Sequence, residues 1–137
     1  MSITYTEITL KNAGDTIRVK EGLIKASEAR KITVQAMVDT GSTDMVINEA
    51  VRQKLGLDIE GSEKIELANN RFEACPVTEP LRVYWKDRST VCTAVVMPGE
   101  SEVLLGALPM EAMDLTVNPA RQEVVGAHGP RAKHMAK

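Results

Sequence analysis

The sequence predicts one mostly β, barrel-like domain with one or two short helices. Six or more segments are rich in Thr, Val and Ile or alternate apolar with polar residues, and turn residues separate them, which is typical of strands. Only two segments carry helix signals, and both are short. The 137 residues provide enough sequence for one domain, and no repeat or linker divides them.

The composition is that of a globular chain. Apolar residues make up 43% of it and charged residues 26%, which excludes collagen-like, coiled-coil and disordered chains. Lys and Arg number 17 against 19 Asp and Glu, so we expect no nucleic-acid partner. No apolar run reaches the roughly 20 residues of a membrane helix, and the first seven residues lack signal-peptide features. We therefore expect no membrane association and a cytoplasmic location.

The first elements are predicted to be strands. Residues 3–10 are rich in Thr, Ile and Tyr, residues 12–15 give a turn signal, and residues 16–19 are interpreted as a returning strand. The first nineteen residues are thus predicted to form a hairpin. Residues 20–31 are polar and are interpreted as a connection of undefined form.

A strand and a helix are predicted next. Alternation over residues 32–38 predicts a strand that leads directly into Asp39. Asn48 is a good N-cap and Gly56 a good C-terminal cap, so residues 49–55 are predicted to form a short helix.

Hairpins are predicted in the middle of the chain. Residues 65–74 are interpreted as a hairpin, because the pair Asn69-Asn70 tolerates the left-handed backbone of a two-residue turn. Residues 81–85 alternate, residues 86–89 turn, and residues 90–97 are predicted to pair back.

The last elements follow a wholly apolar stretch. Residues 103–105 are predicted to be a short strand that ends at Gly106. Pro109 suits the first turn of a helix over residues 110–115, and residues 116–125 are predicted to form a final hairpin.

One segment combines residue types that carry chemistry. The strand that precedes it runs into Asp39-Thr40-Gly41-Ser42, which places a carboxylate, two hydroxyls and a glycine in one turn. Gly41 would let a backbone N–H approach the carboxylate, and the hydroxyls of Thr40 and Ser42 would add hydrogen bonds to the turn and to the outer carboxylate oxygen. Because the motif is short, a simple strand end with an Asx or Ser/Thr turn is the alternative.

The surroundings of this turn resemble a known family. The apolar run 45–47 follows the turn, and further along residues 103–106 form an apolar strand that ends in glycine. This layout is similar to the retropepsin-like (clan AA) aspartic proteases, in which hydrophobic-Asp-Thr-Gly-Ser/Ala is the catalytic turn and such a strand lies beside it. Residues 104–119 resemble the small single-domain bacterial and archaeal members. The resemblance implies a closed β-barrel domain over residues 1–125. Residues 126–137 show no apolar periodicity and are expected to be a disordered tail.

The resemblance also implies an aspartic endopeptidase, whose chemistry needs two carboxylates. Hydrolysis without a metal or a covalent intermediate requires a base that activates water and an acid that protonates the carbonyl oxygen. Two neighbouring carboxylates that share one proton provide both. The sequence has no second Asp-Thr-Gly or Asp-Ser-Gly, because Asp15-Thr16 continues with Ile17. We therefore expect a homodimer with one Asp39 from each subunit.

The resemblance assigns the catalytic turn to Asp39, Thr40 and Gly41. It places a lid over residues 65–74, although the viral members have a glycine-rich tip there. The partners are expected to be a second copy of the chain and a peptide or protein substrate, with no cofactor and no metal ion. The residues expected to contact substrate are Ser42, Val46, Ile47, Leu67, Asn69, Asn70, Phe72 and Leu108.

Two other interpretations stay open. The fold could serve as a dimerisation or peptide-binding module with little hydrolytic activity, or the motif could occur by chance in an unrelated β-barrel. The intact motif at Asp39 favours the enzyme. Asp44 is expected to be a surface or capping group. Cys75 and Cys92 lack zinc-site spacing and are expected to be half-buried thiols or, alternatively, a disulfide.

Overall fold

The computed structural model of the protein describes residues 3–67 and 69–129. The helices are α1 (Ala13–Lys20), α2 (Glu49–Leu55) and α3 (Ala107–Ala112), and a single 3₁₀ turn spans Ala26–Glu28. The strands are β1 (Tyr5–Asn12), β2 (Lys31–Val38), β3 (Met45–Asn48), β4 (Ile59–Glu66), β5 (Phe72–Thr78), β6 (Leu81–Trp85), β7 (Arg88–Cys92), β8 (Ala94–Met97), β9 (Leu104–Leu105), β10 (Leu115–Asn118) and β11 (Glu123–Gly126).

Nine of the strands form one strongly curled half-barrel sheet, which confirms the predicted mostly β fold. Their order is β4-β5-β8-β3-β9-β2-β1-β6-β7, and β10 and β11 form a separate hairpin. The two-residue strand β9 lies between β2, to which it is parallel, and β3, to which it is antiparallel. Two segments far apart in sequence therefore meet in the middle of the sheet.

The concave side of the sheet is filled mainly by aliphatic side chains. Ile8, Leu10, Ile47, Leu81 and Leu105 are 0–1% exposed and belong to one cluster. A smaller second cluster consists of Val46, Cys75 and Val95, with Ile65, Val77, Met97 and Leu104 packed against it. This second cluster lies under the β4–β5 hairpin and is important for the site described below.

Helix α1 corrects the predicted N-terminal hairpin. Residues 16–19 do not return as a strand, because the Asn12 side chain accepts a hydrogen bond from the Asp15 backbone N–H and caps a helix there. The Asn12 amide donates to the carbonyl of Leu55 at 2.9 Å, so the cap is fixed by a helix 43 residues away. The partners of β1 are instead β2 and β6.

The predicted return strand over residues 90–97 is also wrong as one element. Strand β7 pairs with β6 as expected. The strand is interrupted at Thr93, however, and the next strand, β8, pairs with β3 and β5. The helix predicted over residues 110–115 begins three residues earlier, at Ala107, and ends before Asp114, which has a left-handed backbone (φ 56°).

Other local predictions are confirmed. Helix α2 begins with the Asn48 side chain accepting from the Val51 N–H and ends at Gly56, whose φ is 63°. Strands β4 and β5 form the predicted hairpin but extend it to Ile59–Thr78, and its loop is closed by a hydrogen bond from the Leu67 N–H to the Arg71 carbonyl rather than by a two-residue turn. Cys75 and Cys92 are free thiols.

The C-terminal end of the described chain is tied to the domain. The Ala127 N–H donates to the Asp114 carbonyl, and the Arg88 guanidinium donates to the carbonyl of Gly129 at 2.6 Å. Most of the tail expected over residues 126–137 lies outside the described residues. Within the described part of the chain, no helix is long and apolar enough to cross a membrane.

Candidate active site

Asp39 is positioned by the strand that precedes it and by a strand from much later in the sequence. It follows β2 directly, and its backbone N–H donates to the Leu105 carbonyl of β9 at 3.0 Å. One residue earlier, the Val38 N–H donates to the Thr4 carbonyl at 2.8 Å. Because β2 is held on both sides, the end of the strand and the half-buried Asp39 have a fixed position.

The turn after β2 folds back on the Asp39 carboxylate. The Ser42 N–H donates to the Asp39 carbonyl at 3.0 Å, and the Gly41 N–H donates to Asp39 Oδ1 at 3.1 Å. A backbone donor at this distance orients a carboxylate without neutralising its charge by an ion pair. The hydroxyls of Thr40 and Ser42 make no hydrogen bond to any described residue, and Thr40 is exposed.

Gly106 lets the end of β9 pack against the chain that leaves this turn. A Cβ at this position would lie 2.1 Å from the Asp44 carbonyl oxygen and 2.8 Å from that of Ser42. The next two residues, Ala107 and Leu108, donate their N–H groups to the carbonyls of Ser42 and Thr43 at 2.8 and 3.0 Å. The backbone of residues 106–108 therefore supports residues 42–44 without any side chain between them.

A cleft of about 810 Å³ opens beside the turn. Asp39, Gly41 and Ser42 form one wall, and β4 with Leu67 forms the other. The floor consists of side chains of the second apolar cluster, Val46, Ile65, Val95, Met97 and Leu104. The cleft therefore combines an apolar floor with a carboxylate at one wall.

Comparison with known families agrees with this geometry. A family model described as aspartyl protease matches residues 24–108, a range that includes the Asp39 turn, β4, β5 and β9. The chain belongs to the aspartyl protease family. Membership supports aspartic protease activity in general. No curated protein matches the sequence.

The cleft of this aspartyl protease family member contains some of the predicted site residues. Asp39, Gly41, Ser42, Val46 and Leu67 all line it. Ile47, which was also predicted to contact substrate, is fully buried in the main core.

The remaining predicted contact residues lie outside the cleft. Asn69 accepts a hydrogen bond from the Arg71 N–H, and Asn70 has a left-handed backbone (φ 65°), so both serve the loop of the hairpin. Phe72 is 60% exposed and its ring centroid is 6.0 Å from Lys64 Nζ. Leu108 is 54% exposed on α3.

Sequence reasoning did not identify several cleft residues. Asp44, expected to be a surface or capping group, lines the cleft, as do Glu63 and Met97. The negative charge of Asp44 also acts on the Cys92 thiol, whose pKa is raised to about 11 mainly by burial and to a smaller extent by this charge. The alternation of β4 gives a signal for Glu63, since Ile65 packs on the apolar floor and side chains two residues apart share a face.

The described residues contain no group of three or more His, Cys, Asp or Glu side chains that could hold a metal ion. The polar side chains of the cleft are carboxylates, an amine and hydroxyls. They are suited to acid–base chemistry and to hydrogen bonding with a peptide.

Proposed function

We propose that this protein is an aspartic endopeptidase that acts as a homodimer, with one Asp39 from each subunit at the reacting bond. The supporting observation is the Asp39 carboxylate itself. It lies at the wall of an 810 Å³ cleft, accepts a backbone hydrogen bond from Gly41, and has no ion pair with any described residue. A carboxylate placed in this way is available to a bound peptide and to a second carboxylate.

The reaction requires the two carboxylates to divide two roles. Because like charges a few ångströms apart disfavour each other, the pair holds one proton between them. The ionised carboxylate removes a proton from water, which attacks the peptide carbonyl carbon. The protonated carboxyl group gives its proton to the carbonyl oxygen, which produces a tetrahedral diol. The carboxyl group that took the proton from water then gives it to the amide nitrogen, the C–N bond breaks, and one diol hydroxyl returns its proton to the other carboxylate, so that the pair again holds one proton. The Gly41 N–H would keep each carboxylate in one orientation during the exchange.

The proposal of a second copy rests on the number of Asp-Thr-Gly turns. A chain of 137 residues with one Asp-Thr-Gly supplies one catalytic carboxylate of this type. A two-fold axis beside the turn would bring the two Asp39 side chains together in an isologous interface. The exposed side chains that flank the turn, Thr40 and Leu108, would lie at or near that interface.

The β4–β5 hairpin is proposed to close over the bound peptide. Its loop begins at Leu67, which lines the cleft, and its strand β4 is at the edge of the sheet and is exposed along most of its length. Such a hairpin has few buried contacts that resist movement and would exclude water when it closes. The loop residues Asn69 and Asn70 would then approach the substrate.

Peptide cleavage by the parent protein and by Asp39→Asn tests the proposal. The exchange removes the ionisable group and nearly preserves its shape, so cleavage should fall by at least about 10³-fold, since acid and base roles each contribute roughly 10²–10⁴-fold. Parent activity should pass through a maximum on the acid side of neutrality, where the pair holds one proton. A statine-type inhibitor should abolish it and a metal chelator should not. Cleavage that persists in Asp39→Asn would refute the aspartic mechanism.

The homodimer is tested separately by mixing. Sedimentation at micromolar concentration should show a dimer, and specific activity should fall as the protein is diluted below the dimer dissociation constant. Excess Asp39→Asn should lower the activity of the parent by forming mixed dimers with one missing carboxylate. A monomer that retains full specific activity on dilution would exclude the shared site.

A further inference from the structure

The cleft of the proposed protease carries more negative charge than its reaction requires. In addition to Asp39, the acidic residues Asp44 and Glu63 line it. Within the described part of the chain, neither of these two carboxylates has a hydrogen bond or an ion pair. Their charges are therefore not neutralised by the protein.

One basic residue lines the cleft among those described, and its charge points elsewhere. Lys64 Nζ lies 6.0 Å from the centroid of the Phe72 ring, and Phe72 is outside the cleft. Since Ile65 packs on the cleft floor and neighbouring side chains of a strand point to opposite faces, Lys64, Glu66 and Phe72 belong to the outer face of the hairpin. Glu63 shares the inner face with Ile65.

The unpaired charges lie on both walls of the cleft. Asp44 is half-buried immediately before β3, next to the proposed catalytic turn, and Glu63 is on β4, which forms the other wall. The apolar floor strengthens the electrostatic field of these carboxylates, because a cleft with low-dielectric walls concentrates the field of the charges that line it. A positively charged side chain entering here would gain attraction, and a negatively charged one would be repelled.

We infer that this cleft selects peptides that carry a Lys or Arg side chain close to the bond to be cleaved, with Glu63 as the main determinant and Asp44 as the second. The inference rests on the proposed function and adds a substrate class to it. A peptide in extended conformation places every second side chain on the same wall, so a basic residue near the scissile bond can face Glu63 while an apolar one contacts the floor.

Matched peptides measure this preference. Quenched fluorescent peptides that differ only in having Lys, Gln or Glu at one position, scanned on each side of the bond, are compared by kcat/KM. The parent should prefer Lys to Glu by about tenfold at low salt at one or more positions, and 0.5 M NaCl should reduce the difference. Glu63→Gln should weaken the preference and Glu63→Lys should reverse it. Glu60→Lys is the control, because Glu60 is exposed on the same strand and does not line the cleft.

Binding of the same peptides to Asp39→Asn, with and without Glu63→Lys, separates this inference from the proposed activity. Tighter binding of Lys peptides that Glu63→Lys abolishes supports the substrate class even where the parent cleaves nothing, and that result overturns the protease alone. Cleavage with equal kcat/KM for Lys and Glu peptides, or a preference that Glu63→Lys leaves unchanged, overturns the substrate class alone. Neither cleavage nor binding of any peptide overturns both.

Discussion

The dipeptide Asp-Thr occurs twice in this chain, and the two copies lie in different environments. Asp15-Thr16 is in the first turn of α1, where the Asp15 side chain is 3% exposed and accepts hydrogen bonds from Arg18 and Arg30 at 2.7–3.0 Å. Asp39-Thr40 follows β2, and the Asp39 carboxylate accepts one hydrogen bond, from the Gly41 N–H. The same two residue types therefore form a structural ion pair in one place and an open carboxylate in the other.

The difference lies in what holds each carboxylate. Hydrogen bonds from the Arg30 guanidinium hold the pKa of Asp15 well below its usual range. Burial opposes this shift, whereas the backbone N–H and the charge of Arg30 and a hydrogen bond from Arg18 reinforce it. Its charge is compensated and serves to join α1 to the start of β2. Asp39 is instead placed by backbone contacts of β2 and β9, which leave its charge facing the cleft. A carboxylate that keeps its position without an ion pair is available for chemistry.

The largest expected effect on the free energy of unfolding comes from disturbing the backbone contacts that support the Asp39 turn. In Gly106→Ala the new Cβ would meet the Asp44 and Ser42 carbonyl oxygens, and backbone cannot move aside as a flexible side chain can. We expect a loss of about 3 kcal/mol or more in the free energy of unfolding, measured by urea titration. Gly61→Ala is the control, because nothing lies within 4 Å of its Cβ position, and it should change stability by less than about 0.5 kcal/mol. Equal effects of the two variants would contradict the close packing at Gly106.

The ion pair of α1 is expected to have the next largest effect. Asp15→Asn removes the charge that three hydrogen bonds from two arginine side chains depend on, and the group is buried. Because the arginine side chains are about half exposed and can be hydrated, we expect about 2 kcal/mol of destabilisation rather than the larger cost of a fully buried pair. Peptide cleavage by the folded variant should equal that of the parent. A lost activity with unchanged stability would contradict a structural role.

The pH dependence of the stability difference between the parent and Asp15→Asn is a finer test of this ion pair. The pKa of Asp15 is lower in the folded protein than in the unfolded chain, so its stabilisation is complete above the unfolded value of about 4. It is lost progressively as the pH falls below that value toward the folded pKa. The stability difference between parent and Asp15→Asn should therefore be constant from pH 7 to 5 and shrink between pH 4 and 2, as measured by urea midpoints. A difference that grows toward low pH would have the wrong sign.

The smallest expected effect on stability is that of Asp39→Asn. The amide oxygen can still accept the Gly41 N–H, and no described residue loses an ion pair, so the free energy of unfolding should change by less than about 0.5 kcal/mol. A destabilisation as large as that of Asp15→Asn would mean that Asp39, like Asp15, has a structural role. Thermal denaturation of both variants in one buffer makes the comparison direct.

Local signals were sufficient where the interactions that form an element are themselves local. Helix α2 forms where Asn48 and Gly56 cap it, and β2 forms where apolar and polar residues alternate. Helix α1 was wrongly predicted as a strand because Thr16, Ile17 and Val19 are β-branched, and such residues favour strands when nothing else decides. In the structure the Ile17 side chain is 56% exposed and does not pack in a sheet. The helix is held instead by the Asn12 cap and by the hydrogen bond from Arg30 to Asp15.

The sequence by itself determined the mostly β class and the turn that carries Asp39, and it predicted a homodimer. Tertiary structure alone decided the rest. It decided that β9 lies between β2 and β3, that Gly106 packs on the backbone of residues 42–44, and that Asp44 and Glu63 share a cleft with Asp39. The physical reason is the range of the interactions. Capping and alternation act within one element, whereas a cleft is formed by elements whose contacts become available only after the sheet has curled around its core.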